Sequence, residues 1–215
     1  MSLELIIGPM FSGKTTKLIE RCHEISKQLK TNKTNTLMSI VNHITIDTPP
    51  IESIDQIFDD KEGNKNYILA INHIIDKQRY PENKIVSHDG CDIPCVSIEN
   101  LSDIKINKYT RYILINEAQL FKNLKSWIIN LMDTTDINFI LCGLDSDFKI
   151  EQFGELLDLI PYATTVTKMQ GKCHICNKSS LFTHRLTNEC EQVVIGTTNY
   201  IPLCRKCYVK LNKIK

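Results

Sequence analysis

Gly8-Pro9-Met10-Phe11-Ser12-Gly13-Lys14-Thr15 matches G-x-x-x-x-G-K-[ST], the pattern of a phosphate-binding loop. Its neighbours supply the context that such a loop needs. Leu3-Glu4-Leu5-Ile6-Ile7 reads as a short buried strand, and Leu18, Cys22, Ile25 and Leu29 follow at helical spacing. Between a strand and a helix, two glycines let the main chain wrap phosphate oxygens with no side chain in the way. Successive N–H groups and the positive end of the helix then face the anion. In such a loop the lysine, here Lys14, reaches the terminal phosphates, and the Thr15 hydroxyl binds Mg²⁺. A chance match in a tight strand–helix turn is disfavoured, because pattern, position and flanking elements agree.

The 215 residues suffice for one α/β domain and a small appendage. A net charge of +1 implies no broad field for nucleic acid or a membrane surface. No run is long and apolar enough to span a bilayer. The chain enters a strand at once, so no secretory signal is expected. Nine cysteines include two C-x-x-C pairs. Without an export signal, such pairs read as metal ligands in a reducing compartment, the cytoplasm, rather than as disulfides.

Outward from the loop, the pattern predicts a strand over 3–7 and a helix over about 15–30. Segment 31–66 is polar, with Pro49-Pro50 and Asp59-Asp60-Lys61-Glu62-Gly63-Asn64, and reads as an exposed insertion. It holds an echo: Ile40-Val41-Asn42-His43-Ile44 resembles Ala70-Ile71-Asn72-His73-Ile74, and either stretch could be the second sheet strand. Coincidence in an Asn- and Ile-rich chain is as good an account of the echo as duplication. Continuous apolar runs at 112–115 and 138–142 are expected as buried parallel strands, and the β-branched 164–169 as a further strand. Leu124, Trp127, Ile128 and Leu131 make one helix face. Alternating strands and helices imply an α/β fold of the P-loop NTPase type, a mostly parallel sheet flanked by helices. The pattern changes near Met169, so residues 1–169 are assigned to the phosphate-loop domain and 170–215 to a small second domain.

Cys173-His174-Ile175-Cys176 and Cys204-Arg205-Lys206-Cys207 carry that second domain. Each tight turn aims two thiolates at one ion, and two turns complete a tetrahedral sulfur site that suits Zn²⁺. Four thiolates leave no position for water, so the site is structural. A redox dithiol pair is the alternative, disfavoured by the doubling. His174 reads as a solvated turn residue, and Cys22 and Cys142 as small core residues.

A phosphate-binding loop followed by a C-terminal zinc ribbon resembles the type II thymidine kinase family, which includes the cytosolic vertebrate enzyme and many bacterial and viral ones. The resemblance runs nearly end to end. The loop matches in its non-obligatory residues too. Ser87-His88-Asp89-Gly90 matches a family tetrapeptide, and Asp76 with Arg79-Tyr80 is similar to an Asp-x-Arg-Tyr motif with one extra residue. This order favours 67–72 as the second strand. Asn116-Glu117-Ala118-Gln119-Leu120-Phe121 resembles Asp-Glu-Ala-Gln-Phe-Phe. Gly143-Leu144-Asp145-Ser146-Asp147-Phe148, Phe153-Gly154, Phe182-Thr183-His184-Arg185, Ile195-Gly196, Tyr200 and Cys204 to Tyr208 complete the match.

The resemblance implies transfer of the ATP γ-phosphate to the 5′-hydroxyl of thymidine, with Mg²⁺ as cofactor and structural Zn²⁺. It assigns the catalytic base to Glu117, at the C-terminal end of a strand where such sheets bind ligands. Gly8 to Thr15, Asp76 and Arg79 are the implied phosphate and Mg²⁺ partners. A loop from the zinc ribbon, the lasso, closes the nucleoside pocket, whose implied lining is Met10, Leu120, Leu144, Phe148, Phe153, Thr183, Val193, Gly196 and Tyr200. A homotetramer is the family's usual assembly, with no nucleic-acid or membrane partner.

The chain also departs from the family. Asn116 stands where aspartate is usual, and an amide carries no charge for Mg²⁺. Leu120 replaces an aromatic, so base stacking weakens and selectivity relaxes. Two alternatives follow: a kinase with relaxed deoxynucleoside specificity, and a nucleotide-binding protein without turnover. A zinc-ribbon nucleic-acid-dependent ATPase is disfavoured by the near-neutral charge.

Overall fold

The apolar runs expected as buried strands pair side by side. The computed structural model describes residues 1–40, 67–78, 82–189, 191–194 and 199–212. In chain order they form β1 (Leu3–Gly8), α1 (Lys14–Ile40), β2 (Ile68–His73), β3 (Lys84–Val86), β4 (Asp92–Pro94), β5 (Val96–Ile98), β6 (Tyr112–Ile115) and α2 (Leu124–Thr134). Then come β7 (Asn138–Leu144), β8 (Thr165–Lys168), β9 (Gly171–Lys172), β10 (Ser179–Ser180), β11 (Phe182–Arg185), β12 (Tyr200–Leu203) and α3 (Arg205–Asn212). The central sheet has the order β5-β2-β6-β7-β1-β8, and every neighbouring pair is parallel.

Strand periodicity divides the apolar side chains between two faces. Leu3, Leu5, Ile7, Ile113, Ile115, Phe139 and Leu141 pack with Leu124 and Ile128 of α2 and with Leu156 and Leu159. Ile6, Ile68, Ala70, Leu114, Ile140 and Cys142 pack with Leu18, Ile19, Cys22 and Ile25 of α1. Each fully buried Leu or Ile contributes about 1.5–3 kcal/mol, so this stripe, rather than helix propensity, holds α1 on the sheet. Cys22 and Cys142 are buried core residues, as expected.

Two differences from the sequence reading, at the first helix and at the short strands, have local causes. The first helix continues to Ile40 instead of ending near 30. Residues 31–40 are polar but contain neither Gly nor Pro, so nothing stops the helix there. Of the two echoing stretches, Ile68–His73 is the strand; Ile40 belongs to α1, and 41–44 lie outside the described residues. The β3–β4 hairpin and the edge strand β5 were not expected, because three-residue strands carry too few apolar positions to show a period.

Among the described residues after β8, the strands form two-stranded ladders, β10 with β9 and β11 with β12. This region touches the phosphate-binding loop directly: the Met10 N–H donates to Thr183 Oγ1 at 3.0 Å. Among the described residues, no helix is long and apolar enough to cross a membrane.

Candidate active site

The loop leaves β1 under tight steric control. A Cβ on Gly8 would lie 2.6 Å from the Met169 carbonyl oxygen, and Gly13 has φ +81°, so each position needs glycine. Ser12 Oγ and Lys14 Nζ both donate to the Pro9 carbonyl at 2.8 Å, which fixes the turn. Lys14 is buried, and burial lowers its pKa from the ordinary lysine value. The nearby Glu117, Cys142 and Asp145 partly offset that shift.

Across the sheet, β6 is followed by Asn116 and Glu117, near the C-terminal end of β1, in the crevice where open parallel sheets bind ligands. Glu117 has a left-handed backbone, φ 49° and ψ 42°, which costs about 1–3 kcal/mol for a residue with a side chain. The following turn, Ala118–Leu120, over-determines it. Buried Gln119 donates from Nε2 to Glu117 Oε2 at 2.7 Å and accepts the Leu144 N–H at Oε1, 3.0 Å away. Gln119 thereby ties the carboxylate to the end of β7. We expect Gln119→Leu to lose about 1–3 kcal/mol of stability, since it leaves the Leu144 N–H unpaired. It should lower turnover more than it changes nucleotide affinity, as calorimetry and initial rates will show.

Asn116 is buried with Thr15 and Cys142 on one side and Asn72 on the other. Its Oδ1 accepts from Thr15 Oγ1 at 3.3 Å and from the Cys142 thiol at 3.1 Å, and its Nδ2 donates to Asn72 Oδ1 at 3.1 Å. Burial pushes the Cys142 pKa up to about 12, so it is a thiol and can donate. The Thr15 hydroxyl, Asn116 Oδ1 and the Asp76 carboxylate are oxygen donors, the chemistry Mg²⁺ accepts.

One cavity of about 430 Å³ collects most of the expected residues. Met10, Phe11, Ser12, Gly13, Lys14, Thr15, Asp76 and Glu117 line it, with Leu120, Leu144, Phe148, Phe153, Thr183, Val193 and Tyr200. Gly8 and Pro9 shape the loop without lining it. Arg79 and Gly196 lie outside the described residues. Gln119, His88, Asp89, Asp147 and Gln192 also line the cavity and were not singled out as site residues. Gln119, His88, Asp89 and Asp147 sat inside recognised motifs; for the pairing of Gln192 with Asp147, which spans 45 positions at 3.0 Å, no local signal exists.

The loop between β11 and β12 is organised around Arg185, which is 2% exposed. Its guanidinium donates to the carbonyls of Glu189 (3.0 Å), Glu191 and Gln192 (2.9 Å) and to Tyr200 Oη (2.7 Å). It also stacks 3.8 Å from the Phe148 ring centroid, a cation–π contact with a wall of the cavity. Tyr200 Oη in turn donates to the Val194 carbonyl at 3.0 Å. Arg185→Met keeps the length and removes these donors. Its expected effect is a loosened loop: hydrogen exchange of the Leu186 to Glu189 amides should quicken about 10-fold or more, equivalent to about 1.4 kcal/mol; hydrogen-exchange mass spectrometry checks it.

The Sγ atoms of Cys173, Cys176, Cys204 and Cys207 all lie within 4.8 Å of one another, and Cys176 Sγ is 3.6 Å from Cys204 Sγ. A tetrahedral ion with Zn–S bonds of about 2.3 Å needs sulfurs about 3.8 Å apart, so the donor set fits zinc. His174 is exposed and stays outside the cluster.

The sheet, the glycine loop at its C-terminal edge and the four-cysteine module define a P-loop α/β protein with a four-cysteine ribbon. The sequence matches the profile of the thymidine kinase family over residues 1–48 and 51–208. It is 30% identical to a thymidine kinase of Oryza sativa subsp. japonica, over 96% of this chain and 66% of that protein. It is 32% identical to a thymidine kinase of Choristoneura fumiferana entomopoxvirus over the full length of both, and 30% identical to one of Sheeppox virus (strain KS-1) over 96% of each. The chain belongs to the thymidine kinase family.

Proposed function

We propose that this chain transfers the γ-phosphate of ATP to the 5′-hydroxyl of thymidine, giving thymidine monophosphate. The observation that carries the reading is the single cavity shared by Lys14 and Thr15, by Glu117, and by the apolar wall of Leu120, Leu144, Phe148 and Phe153. A phosphate-binding loop alone would serve any nucleotide-binding protein. A carboxylate and an apolar wall in the same cavity add a place for the acceptor and a group to take its proton.

In this reading the loop N–H groups and Lys14 hold the phosphates. Bound Mg²⁺ neutralises charge on the phosphates, with Thr15, Asn116 and Asp76 as the residues that would hold it or its waters. Glu117 accepts the proton of the 5′-hydroxyl as that oxygen bonds to the γ-phosphorus and the bond from the γ-phosphorus to the bridging oxygen breaks, releasing ADP; the base contributes about 10²–10⁴-fold. Gln119 orients that carboxylate. Phe148 and Phe153 pack against the base, and the Arg185-organised loop covers it. Zn²⁺ at the four cysteines holds the hairpin that bears Thr183 and Tyr200.

Leu120 in place of an aromatic favours broader nucleoside acceptance as a second reading, since it leaves one wall of the cavity smaller and less flat. Incubation with labelled ATP and thymidine, deoxyuridine or deoxycytidine separates the readings. Thymidine monophosphate as the main product supports the first, and comparable products from several nucleosides support the second. Tight nucleotide binding with no transfer to any acceptor overturns both.

A further inference from the structure

Beneath the phosphate-binding loop, buried polar side chains form a chain of hydrogen bonds that can run in one direction only. At one end is Asp76, a carboxylate, which when ionised only accepts. Asn72 Nδ2 donates to Asp76 Oδ2 at 2.9 Å, so the Asn72 oxygen points away from Asp76. That oxygen accepts from the His73 main-chain N–H and from Asn116 Nδ2, each at 3.1 Å. The amide nitrogen of Asn116 is thus taken by Asn72, and its oxygen is left facing the Thr15 hydroxyl and the Cys142 thiol. Asn72 and Asn116 are each 3% exposed, so water is no ready substitute for either partner. A carboxamide has nearly the same shape at both ends, and only such a series of partners decides which end faces which.

We propose that Asn72 is a positioning residue for Asn116, turning its carboxamide so that an amide oxygen, rather than a carboxylate, stands beside Thr15. The proposal rests on the kinase reading only for what that oxygen serves, the Mg²⁺ held near Thr15; the hydrogen-bond directions stand without it. The polarity has a cost. A carboxylate at position 116 would face Asn72 Oδ1, acceptor against acceptor, with each residue only 3% exposed. Turning Asn72 over would only move the same conflict to Asp76. Asn72 and Asp76 together therefore make the amide the fitting group at position 116, and a charge is not accommodated there by one substitution.

The test uses the full chain with N116D, D76N/N116D and N72A, following melting temperature and the Mg²⁺ concentration that half-saturates ATP binding. N116D should lower Tm by on the order of 5 °C without lowering the Mg²⁺ requirement, despite its added charge. D76N/N116D should recover part of that Tm, because Asn72 can then turn its amide toward the introduced carboxylate, at the cost of the acceptor for the His73 N–H. N72A should raise the half-saturating Mg²⁺ by about 10-fold, the usual scale for losing an orienting partner of a metal ligand, with thymidine KM unchanged. An N116D protein as stable as the parent, a D76N change that adds to the loss, or an N72A protein with an unaltered Mg²⁺ response each overturns the proposal. Should N116D fail to fold, N72A decides, together with hydrogen exchange of the ¹⁵N-labelled Asn116 side-chain amide. That exchange should be slow in the parent and fast in N72A; fast exchange in the parent overturns the proposal. Thymidine phosphorylation by the parent is assayed alongside. Its absence with the stability pattern intact defeats the kinase reading and leaves the Asn72 orientation standing.

Discussion

Glu117→Gln should lower kcat for thymidine phosphorylation by about 10²–10⁴-fold while leaving ATP affinity nearly unchanged. The substitution is close to isosteric, so the Ala118–Leu120 turn and the left-handed backbone at 117 can persist. The new amide still offers an oxygen to Gln119 Nε2, which now donates at 2.7 Å. What disappears is the ability to take the 5′-hydroxyl proton as the oxygen attacks phosphorus. Lys14 and the loop N–H groups are untouched, so the phosphates should still bind. The measurements are single-turnover transfer with labelled ATP and, separately, nucleotide affinity by calorimetry. Full activity in Glu117→Gln would exclude this residue as the base. Equal loss of ATP binding would mean that Glu117 supports the phosphate site instead.

Removing the metal should abolish tight thymidine binding before it unfolds the sheet. The ribbon has little core to fall back on: α3 contains no buried residue, and β9 and β10 are two residues each. Structural zinc in isolated finger peptides contributes about 10–16 kcal/mol, comparable with the whole stability of an ordinary domain. Without the ion, four thiols within 4.8 Å have no shared partner, and the β11–β12 hairpin loses its anchor. That hairpin carries Thr183, which accepts the Met10 N–H, and Arg185 and Tyr200, which organise the loop over the cavity. Loss should therefore appear first in thymidine KM, by about 10-fold or more, since about 1.4 kcal/mol of binding suffices for that. Metal analysis should find about one Zn²⁺ per chain, the stoichiometry of a four-ligand site. A zinc-free protein with unchanged thymidine affinity would break the link between ribbon and pocket.

The two predictions rest on parts of the chain that were legible to different degrees. The phosphate-binding loop is contiguous, and each of its positions has a local reason, so eight residues announce it. The C-x-x-C pairs are local in the same sense: each is one turn, although the gap between them is not. Strands β6 and β7 show as unbroken apolar runs because both faces of a parallel sheet are covered. Short strands such as β3 and β5 lack the length to show a period. The extension of α1 to Ile40 was misread because polar composition was taken for a loop, where only Gly or Pro would have argued for a stop.

The sequence by itself determined the class of the fold, the phosphate loop, the four paired cysteines and the acidic residue after β6. All of these are written in spacing or in residues adjacent along the chain. Tertiary structure decided which way the side chains between them point. Gln119 reaches Leu144, Arg185 gathers the carbonyls of its own loop and stacks on Phe148, and Asn72 sets the direction of Asn116 across 44 positions. Hydrogen-bond direction in a buried site depends on every partner at once, and those partners come from strands that meet only when the sheet has formed.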